Sequence, residues 1–416
     1  MSANDPPRFL LLLPPAPSSQ SASSLKASYA DTLSQALKEV TSHSSQSAKA
    51  AILEIALACP HLTGKRKATR SSLFAGTQSL VASIYRLICT IAAKEGIDVE
   101  DEDGVDVRIL LVGWSPNSTN DESSVRPEDQ YGPIVSLSAL AGCGRSWQYA
   151  FGVESEQGEA MVKAFVAAKG SSAEVTSVQD GSDAEDDKTT NTTNESPSSK
   201  QRASEPETKY STHHHVAIGG TFDHIHIGHK LLLTMTAFAV DDAATDALQE
   251  RTITIGITGD ELLKNKKHRE VLESWEDRYR SVMTFINAII DFSPPSSAGQ
   301  RHVSVRDDPG PNGKSMDVVY PNGLVIKCTE IQDPFGPTIT EERISCMILS
   351  AETRAGGKAV NDKRAEKGWK PLDLFEVDVL DAEDDSDDKK VQEGFENKLS
   401  STAIREKLAK KRQSSL

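Results

Sequence analysis

Residues His215 to Lys230 read HVAIGGTFDHIHIGHK, and this stretch decides the fold. Val216, Ala217 and Ile218 form a short apolar run that stops at Gly219-Gly220. After Gly228, Leu231, Leu232, Met235 and Phe238 recur at helical spacing, so the stretch reads as strand, loop, helix. At the carboxyl end of a strand in an open α/β sheet, a helix N-terminus offers free N–H groups and a partial positive charge to a phosphate. Gly219 and Gly220 let the backbone approach an anion closely, and Thr221 adds a hydroxyl. His226 and His229 can point from the first helical turn into the same space. The plain alternative is a glycine turn followed by packing histidines, with His213 to His215 as a tag scar. A tag would sit at a terminus, and it would not account for the ordered Gly-Gly-Thr-Phe-Asp before His-x-Gly-His.

Downstream, Thr252 to Thr258 alternates like a strand and leads into a turn carrying Lys264, Lys266 and Lys267. A strong helix is expected from Trp275 to Ile290, with Tyr279, Val282, Met283, Ile286, Ile289 and Ile290 on its apolar side. Val303 to Val305, Leu324 to Ile331, Ile344 to Ser350 and Leu374 to Leu380 read as strands, and Gly357 to Lys367 as a helix. Asp333 to Thr338 (DPFGPT) is a turn, and the acidic loop Asp381 to Lys390 precedes a last helix that Ser400 or Ser401 can cap. This alternation gives a Rossmann-like, mostly parallel sheet with helices on both faces and the phosphate-binding stretches at helix N-termini. Gly310 to Ser315 ends like a P-loop, but position 308, where the first glycine belongs, is Asp308, so a surface loop is expected.

Upstream, RFLLLL (8–13), a helix around Leu33, Leu37 and Val40, a strand Ala50 to Ala58, a helix lined by Leu80, Ile84, Leu87, Ile88 and Ile91, and a strand Val107 to Val112 form a smaller parallel α/β unit. Trp147 to Phe151 and Met161 to Ala168 supply one more strand and helix. No catalytic motif occurs in it. Lys65-Arg66-Lys67 with Arg70 could touch an anion, but a solvated loop is the simpler account. The expected division is an N-terminal α/β domain over 1–170, a disordered Ser/Thr/acidic linker over 171–207 with Ser182 in an acidic context, and a second domain over 208–416. Such a linker should isolate two separately cored domains, so that a fragment beginning near Pro206 folds on its own.

Length and composition set the bounds. The 416 residues suffice for two domains, and 37% hydrophobic with 26% charged residues suits a soluble chain. A net charge of −15 argues against general nucleic-acid binding while leaving room for a local basic pocket. The five cysteines show no C-x-x-C pair, so reduced, mostly buried thiols are expected. Leu10 to Leu13 is too short for a signal peptide, and no run of about 18 apolar residues predicts a membrane span. A cytoplasmic protein, with the nucleus as a further compartment, is expected.

Gly219-Gly220-Thr221-Phe222-Asp223 followed by His226-Ile227-Gly228-His229 resembles the first signature of the nucleotidyltransferase superfamily. Ser400-Ser401-Thr402-Ala403-Ile404-Arg405 resembles its late Ser-Ser-Thr-x-x-Arg signature. Over about residues 206 to 416 the chain is most similar to the eukaryotic, fungal-type phosphopantetheine adenylyltransferase family. The resemblance implies a transfer of AMP from ATP to 4′-phosphopantetheine, with Mg²⁺ accompanying the ATP and no protein metal site. It also implies roles. His229 and His226 would contact ATP phosphates, and Thr221 with Gly220 would hold the attacking phosphate. A lysine among Lys264, Lys266 and Lys267, with Lys264 first and Lys267 next, would bridge the phosphates. Gly219, Phe222, Asp223, Gly228, Arg354, Asn361, Arg364, Ser400, Ser401, Thr402 and Arg405 would surround the nucleotide, with Arg405 as a fork for its β,γ-phosphates. Association with other coenzyme A biosynthesis enzymes is a further expectation, and so is the lack of a following kinase activity. A sister enzyme acting on a nicotinamide nucleotide or on CTP, and a non-catalytic scaffold keeping the fold, are the competing readings.

Overall fold

The computed structural model describes residues 6–44, 50–63, 68–99, 104–116, 130–175, 211–242, 250–295, 301–306, 313–378 and 400–414. In the N-terminal half, β1 (Arg8–Leu13), β2 (Ala51–Ala58), β3 (Val105–Val112), β4 (Ile134–Val135) and β5 (Tyr149–Gly152) form a parallel sheet in the order β4-β3-β2-β1-β5. Its first three strands are nearly continuous apolar runs because both faces are covered. The helices are α1 (Ala22–Ser44), α2 (Arg70–Glu95), α3 (Leu137–Gly142) and α4 (Glu156–Val175). Thr69 caps α2 by accepting the Ser72 N–H, and Gly96 ends it in the left-handed region at φ 67°. Helix α4 carries five residues into the stretch expected as linker. The rest of that stretch, with Ser182, lies outside the described residues, as do Lys65, Arg66, Lys67 and the acidic loop at 381–390.

The second sheet has seven strands in the order β12-β11-β6-β7-β10-β9-β8. These are β6 (His215–Gly220), β7 (Arg251–Thr258), β8 (His302–Arg306), β9 (Ser315–Val319), β10 (Leu324–Ile331), β11 (Cys346–Ser350) and β12 (Asp373–Val377). β12, β11, β6, β7 and β10 are parallel, and β8 and β9 add an antiparallel edge. The remaining helices are α5 (Ile227–Phe238), α6 (Trp275–Ile290), α7 (Arg354–Glu366) and α8 (Ser401–Ser414). The Rossmann-like expectation is borne out. Ser315 opens a strand rather than a helix, and Lys314 is paired with Glu276 at 2.6 Å, so the false P-loop lacks the context a phosphate loop needs. From β6 the chain crosses through α5 to β7 on one side, while β11 lies on the other. The sheet's switch point is therefore at the carboxyl end of β6, where Gly219-Gly220 stands.

The two halves pack against each other through a common core, a contact that the linker reading did not anticipate. One buried cluster contains the apolar residues of β1–β3 and α2 together with those of β6, β7, α5 and α6. Helix α2 explains this, since its buried positions Phe74, Gln78, Val81 and Tyr85 run along a different side from Leu80, Ile84 and Ile91, so it packs in two directions. Phe74 meets Phe238 and Phe375 at ring distances of 6.4 and 4.7 Å. Each half also satisfies a helix end of the other. Asp241 accepts the Arg70 N–H at the start of α2 at 2.9 Å, and Arg145 Nη2 donates to the Asp291 carbonyl just past the end of α6 at 2.9 Å. Backbone pairing continues at Gly132, whose N–H reaches the Ile290 carbonyl at 2.7 Å, and a Cβ there would stand 2.3 Å from the Ile289 oxygen. All five cysteines are buried and none forms a disulfide. No described helix is long and apolar enough to cross a membrane.

A shared core predicts mutual dependence. Residues 206–416 made alone should aggregate or lack a cooperative melt, whereas 1–175 and 206–416 made together should purify as one body. Thermal denaturation followed by circular dichroism checks this, and a fragment melting at the full-length temperature would refute it.

Candidate functional site

The loop between β6 and α5 is held in a costly conformation. Phe222 and His224 adopt left-handed backbone angles, φ 52° and 47°, which non-glycine residues keep only when their surroundings over-determine them. Here they do. The Phe222 ring is buried beside Gly220, where an added Cβ would meet it at 3.0 Å. The His224 N–H donates to Glu273 at 2.6 Å, and its Nε2 lies 2.9 Å from the Val271 carbonyl. Arg278, buried at the start of α6, donates to the carbonyls of Thr221 (2.9 Å), Thr258 (2.7 Å) and Glu273 (3.2 Å) and to the Asp260 carboxylate (2.7 Å). By contrast, a Cβ at Gly219 would meet no atom within 4 Å, so the backbone there is open to an approaching group.

His226 is the N-cap of α5, and its ring stacks on that of His229 with centroids 3.9 Å apart. The Nδ1 atoms of both rings are buried and without a hydrogen-bond partner. Burial holds the His226 imidazole well below its usual range, and a proton on His229 or the Lys230 ammonium pushes it the same way. Burial also lowers His229, to about 4, against the nearby Asp223 carboxylate. Both rings are therefore neutral at pH 7, and each can give one N–H to a phosphate oxygen.

The late signature closes on the early one. Ser401 Oγ lies 3.3 Å from His226 Nε2, across 175 positions of sequence. Arg405 Nη1 meets Asp223 Oδ2 at 2.6 Å, and both side chains are buried. Asp223 Oδ1 accepts the Glu273 N–H at 2.9 Å. Arg405 also donates to the Lys267 carbonyl at 3.0 Å and to Thr402 Oγ1 at 3.1 Å. Ser400 serves as the cap of α8, its hydroxyl accepting the Ala403 N–H at 3.4 Å.

The expected site residues stand in three places: the junction of β6, α5 and α8, the turn after β7, and helix α7. Gly219, Gly220, Thr221, Phe222, Gly228, His226, His229, Ser400, Ser401 and Thr402 lie where β6, α5 and α8 meet. Lys264, Lys266 and Lys267 are exposed on the turn after β7, along the same edge of the sheet, with Lys264 paired to Glu261. Asp223 and Arg405, expected around the nucleotide, are each other's buried partner, and Arg405 is only 2% exposed. Arg364, expected around the nucleotide as well, is enclosed by protein. It is 1% exposed, and its guanidinium is occupied by the carbonyls of Thr338, Glu342, Ile344 and Lys370. Asn361 clamps Leu372 through two backbone bonds of 2.8 and 3.1 Å. Arg354, at the start of α7, is exposed and paired with Glu376. Sequence reasoning missed Glu273 and Arg278. The available signal was an arginine at helical spacing inside the apolar face formed by Trp275, Tyr279 and Val282.

Two expectations follow. Arg405→Ala leaves Asp223 buried without its partner, a change that typically costs about 3–5 kcal/mol. The variant should melt well below wild type, and an unchanged melting temperature would contradict the geometry. Because His229 has a folded pKa near 4 against an ordinary 6.5, the unfolded chain binds more protons between those values. Its contribution to stability is complete above about 6.5 and is lost as pH falls towards 4. Urea melts at pH 7 and pH 5.5 should show this loss, and His229→Asn should reduce it.

A family model described as cytidylyltransferase-like matches residues 217–407, and one described as a domain of unknown function (DUF8446) matches residues 1–184. An uncharacterised protein of Schizosaccharomyces pombe is 34% identical over 195 residues, 47% of this chain and 48% of its own. A phosphopantetheine adenylyltransferase of Saccharomyces cerevisiae is 33% identical over 192 residues, 46% of this chain and 48% of its own. The chain thus spans about half the length of these two curated relatives. A phosphopantetheine adenylyltransferase of Thermococcus kodakarensis is 30% identical over 165 residues, 40% of this chain and 74% of its own. With most of that last relative matched and residues 217–407 fitted by the family model, the chain belongs to the cytidylyltransferase-like family of nucleotidyltransferases, among relatives named phosphopantetheine adenylyltransferase.

Proposed function

We propose that this chain transfers the adenylyl group of ATP to 4′-phosphopantetheine, giving dephospho-coenzyme A and pyrophosphate. The observation that carries the reading is the meeting of His226 and His229 with Ser401 beside open glycine backbone, at the switch point of a parallel sheet. An oxygen of the 4′-phosphate attacks the α-phosphorus of ATP, and the bond from that phosphorus to the bridging oxygen breaks as pyrophosphate leaves. No covalent enzyme adduct is needed, so the protein's task is positioning and charge stabilisation. Thr221 and the backbone at Gly219-Gly220 hold the acceptor phosphate. His226 and His229 each direct an N–H at ATP phosphate oxygens, and the N-terminus of α8 receives the β,γ-phosphates. Lys264, or Lys267 after it, swings from the exposed turn to bridge the two substrates. Asp223 and Arg405 act behind them by keeping the first loop and the last helix together. Mg²⁺ brought in with the nucleotide would supply neutralisation of phosphate charge, with no side chain assigned to hold it.

The family description also admits CTP as donor, so the test is a substrate panel. With purified full-length protein, ATP and 4′-phosphopantetheine should release pyrophosphate and yield dephospho-coenzyme A by mass spectrometry. Preference for CTP or for nicotinamide mononucleotide would replace the reading. His229→Ala should lower kcat by about a hundredfold while leaving KM for ATP near wild type, the pattern for a donor that acts mainly in the transition state.

A further inference from the structure

Lys230 follows His229 directly and lies in the first turn of α5, where a cation opposes the positive end of the helix dipole. It is also buried, so an unpaired ammonium there would be costly. Both of its partners come from the other half of the molecule. Nζ donates to Asp106 Oδ1 at 2.7 Å and to the Val107 carbonyl at 3.0 Å, both on β3. Asp106 is held in turn by Arg108, two residues along the strand, whose Nε donates to it at 2.9 Å. The Lys230 N–H closes the first helical turn on the His226 carbonyl at 3.0 Å. A short chain of contacts therefore runs from β3 through Lys230 to the two histidines.

We propose that Asp106 is a positioning residue for nucleotidyl transfer: by gripping Lys230 it fixes the first turn of α5, and with it His226 and His229, which makes the N-terminal half a working part of the site. The geometry suits this better than a stabilising surface pair. The pair joins two halves of the chain at the turn that presents the imidazoles, and the Lys230 charge is among those that keep His226 neutral. A displacement of that turn by about 1 Å is enough to misalign an in-line transfer. Asp106, Lys230 and Arg108 also face a cavity of about 1060 Å³ between the halves, lined further by His224, Glu273 and Arg412. Asparagine keeps an oxygen where Asp106 Oδ1 stands, so Asp106→Asn should still fold while the ion pair that grips the ammonium is lost.

The inference rests on the proposed reaction for its activity readout, and the test separates the two. Asp106→Asn should lower kcat roughly tenfold to a hundredfold per folded molecule with KM for ATP close to wild type. In Asp106→Asn/Lys230→Met the loss should be no larger than in Lys230→Met alone, since both changes remove one link. Wild-type kcat in Asp106→Asn, or losses that simply multiply in the double variant, would overturn the proposal. If Asp106→Asn fails to fold, Lys230→Met carries the same kcat test. If the wild type does not use ATP and 4′-phosphopantetheine, the proposed function fails while this inference is still read by NMR. The imidazole nitrogen signals of His226 and His229 should shift in Asp106→Asn, and unshifted signals would overturn it.

Discussion

A carboxylate and a guanidinium, Asp223 and Arg405, meet out of contact with solvent, and the site depends on that pair. Removing both charges from water is expensive, and their attraction alone does not guarantee a gain. The cost is offset because the remaining lone pairs and donors are also used, by the Glu273 N–H, the Lys267 carbonyl and the Thr402 hydroxyl. What the arrangement secures is uniqueness. The placement of α8 that satisfies the guanidinium also brings Ser401 to His226. The loop after β6 and the start of α8 are thus each positioned by a buried neighbour.

The same logic explains the left-handed loop. Two strained residues, each costing of order 1–3 kcal/mol, persist because Arg278 and Glu273 hold the carbonyls and N–H groups on either side. The strain turns the chain sharply from the end of β6 into α5, leaving the glycine backbone bare and the imidazoles stacked. Neutral, desolvated rings with unpartnered nitrogens are poised for an anion, whose arrival favours their protonated forms.

Much of this was legible in the sequence where the signal was local. Helix α6 was legible from Trp275 to Ile290 because its apolar residues recur along one face, and β10 because an apolar run stops at the Asp333 to Thr338 turn. The meeting of the two signatures was legible from their order in the family resembled. The roles of individual charges were not. Arg364 and Arg405 looked like ligands for phosphate because a sequence shows a charge without showing the carbonyls or carboxylate that loops far along the chain bring to it. The role of Lys230 leaves no local signal, since its partner lies 124 positions away. β4 has two residues, too few for a periodic signal, and β9 starts at Ser315, the end of the stretch that reads as a surface loop.

The exchanged helix ends also set an order of events during synthesis. Helix α2 emerges from the ribosome long before Asp241, which later receives its first N–H, and the Phe74 face stays uncovered until Phe238 and Phe375 exist. At roughly 5–20 residues per second, that wait lasts for seconds to tens of seconds. During it the nascent first half presents a sticky, unfinished surface, so this fold asks more of the cell's chaperones than two independent domains of the same size would.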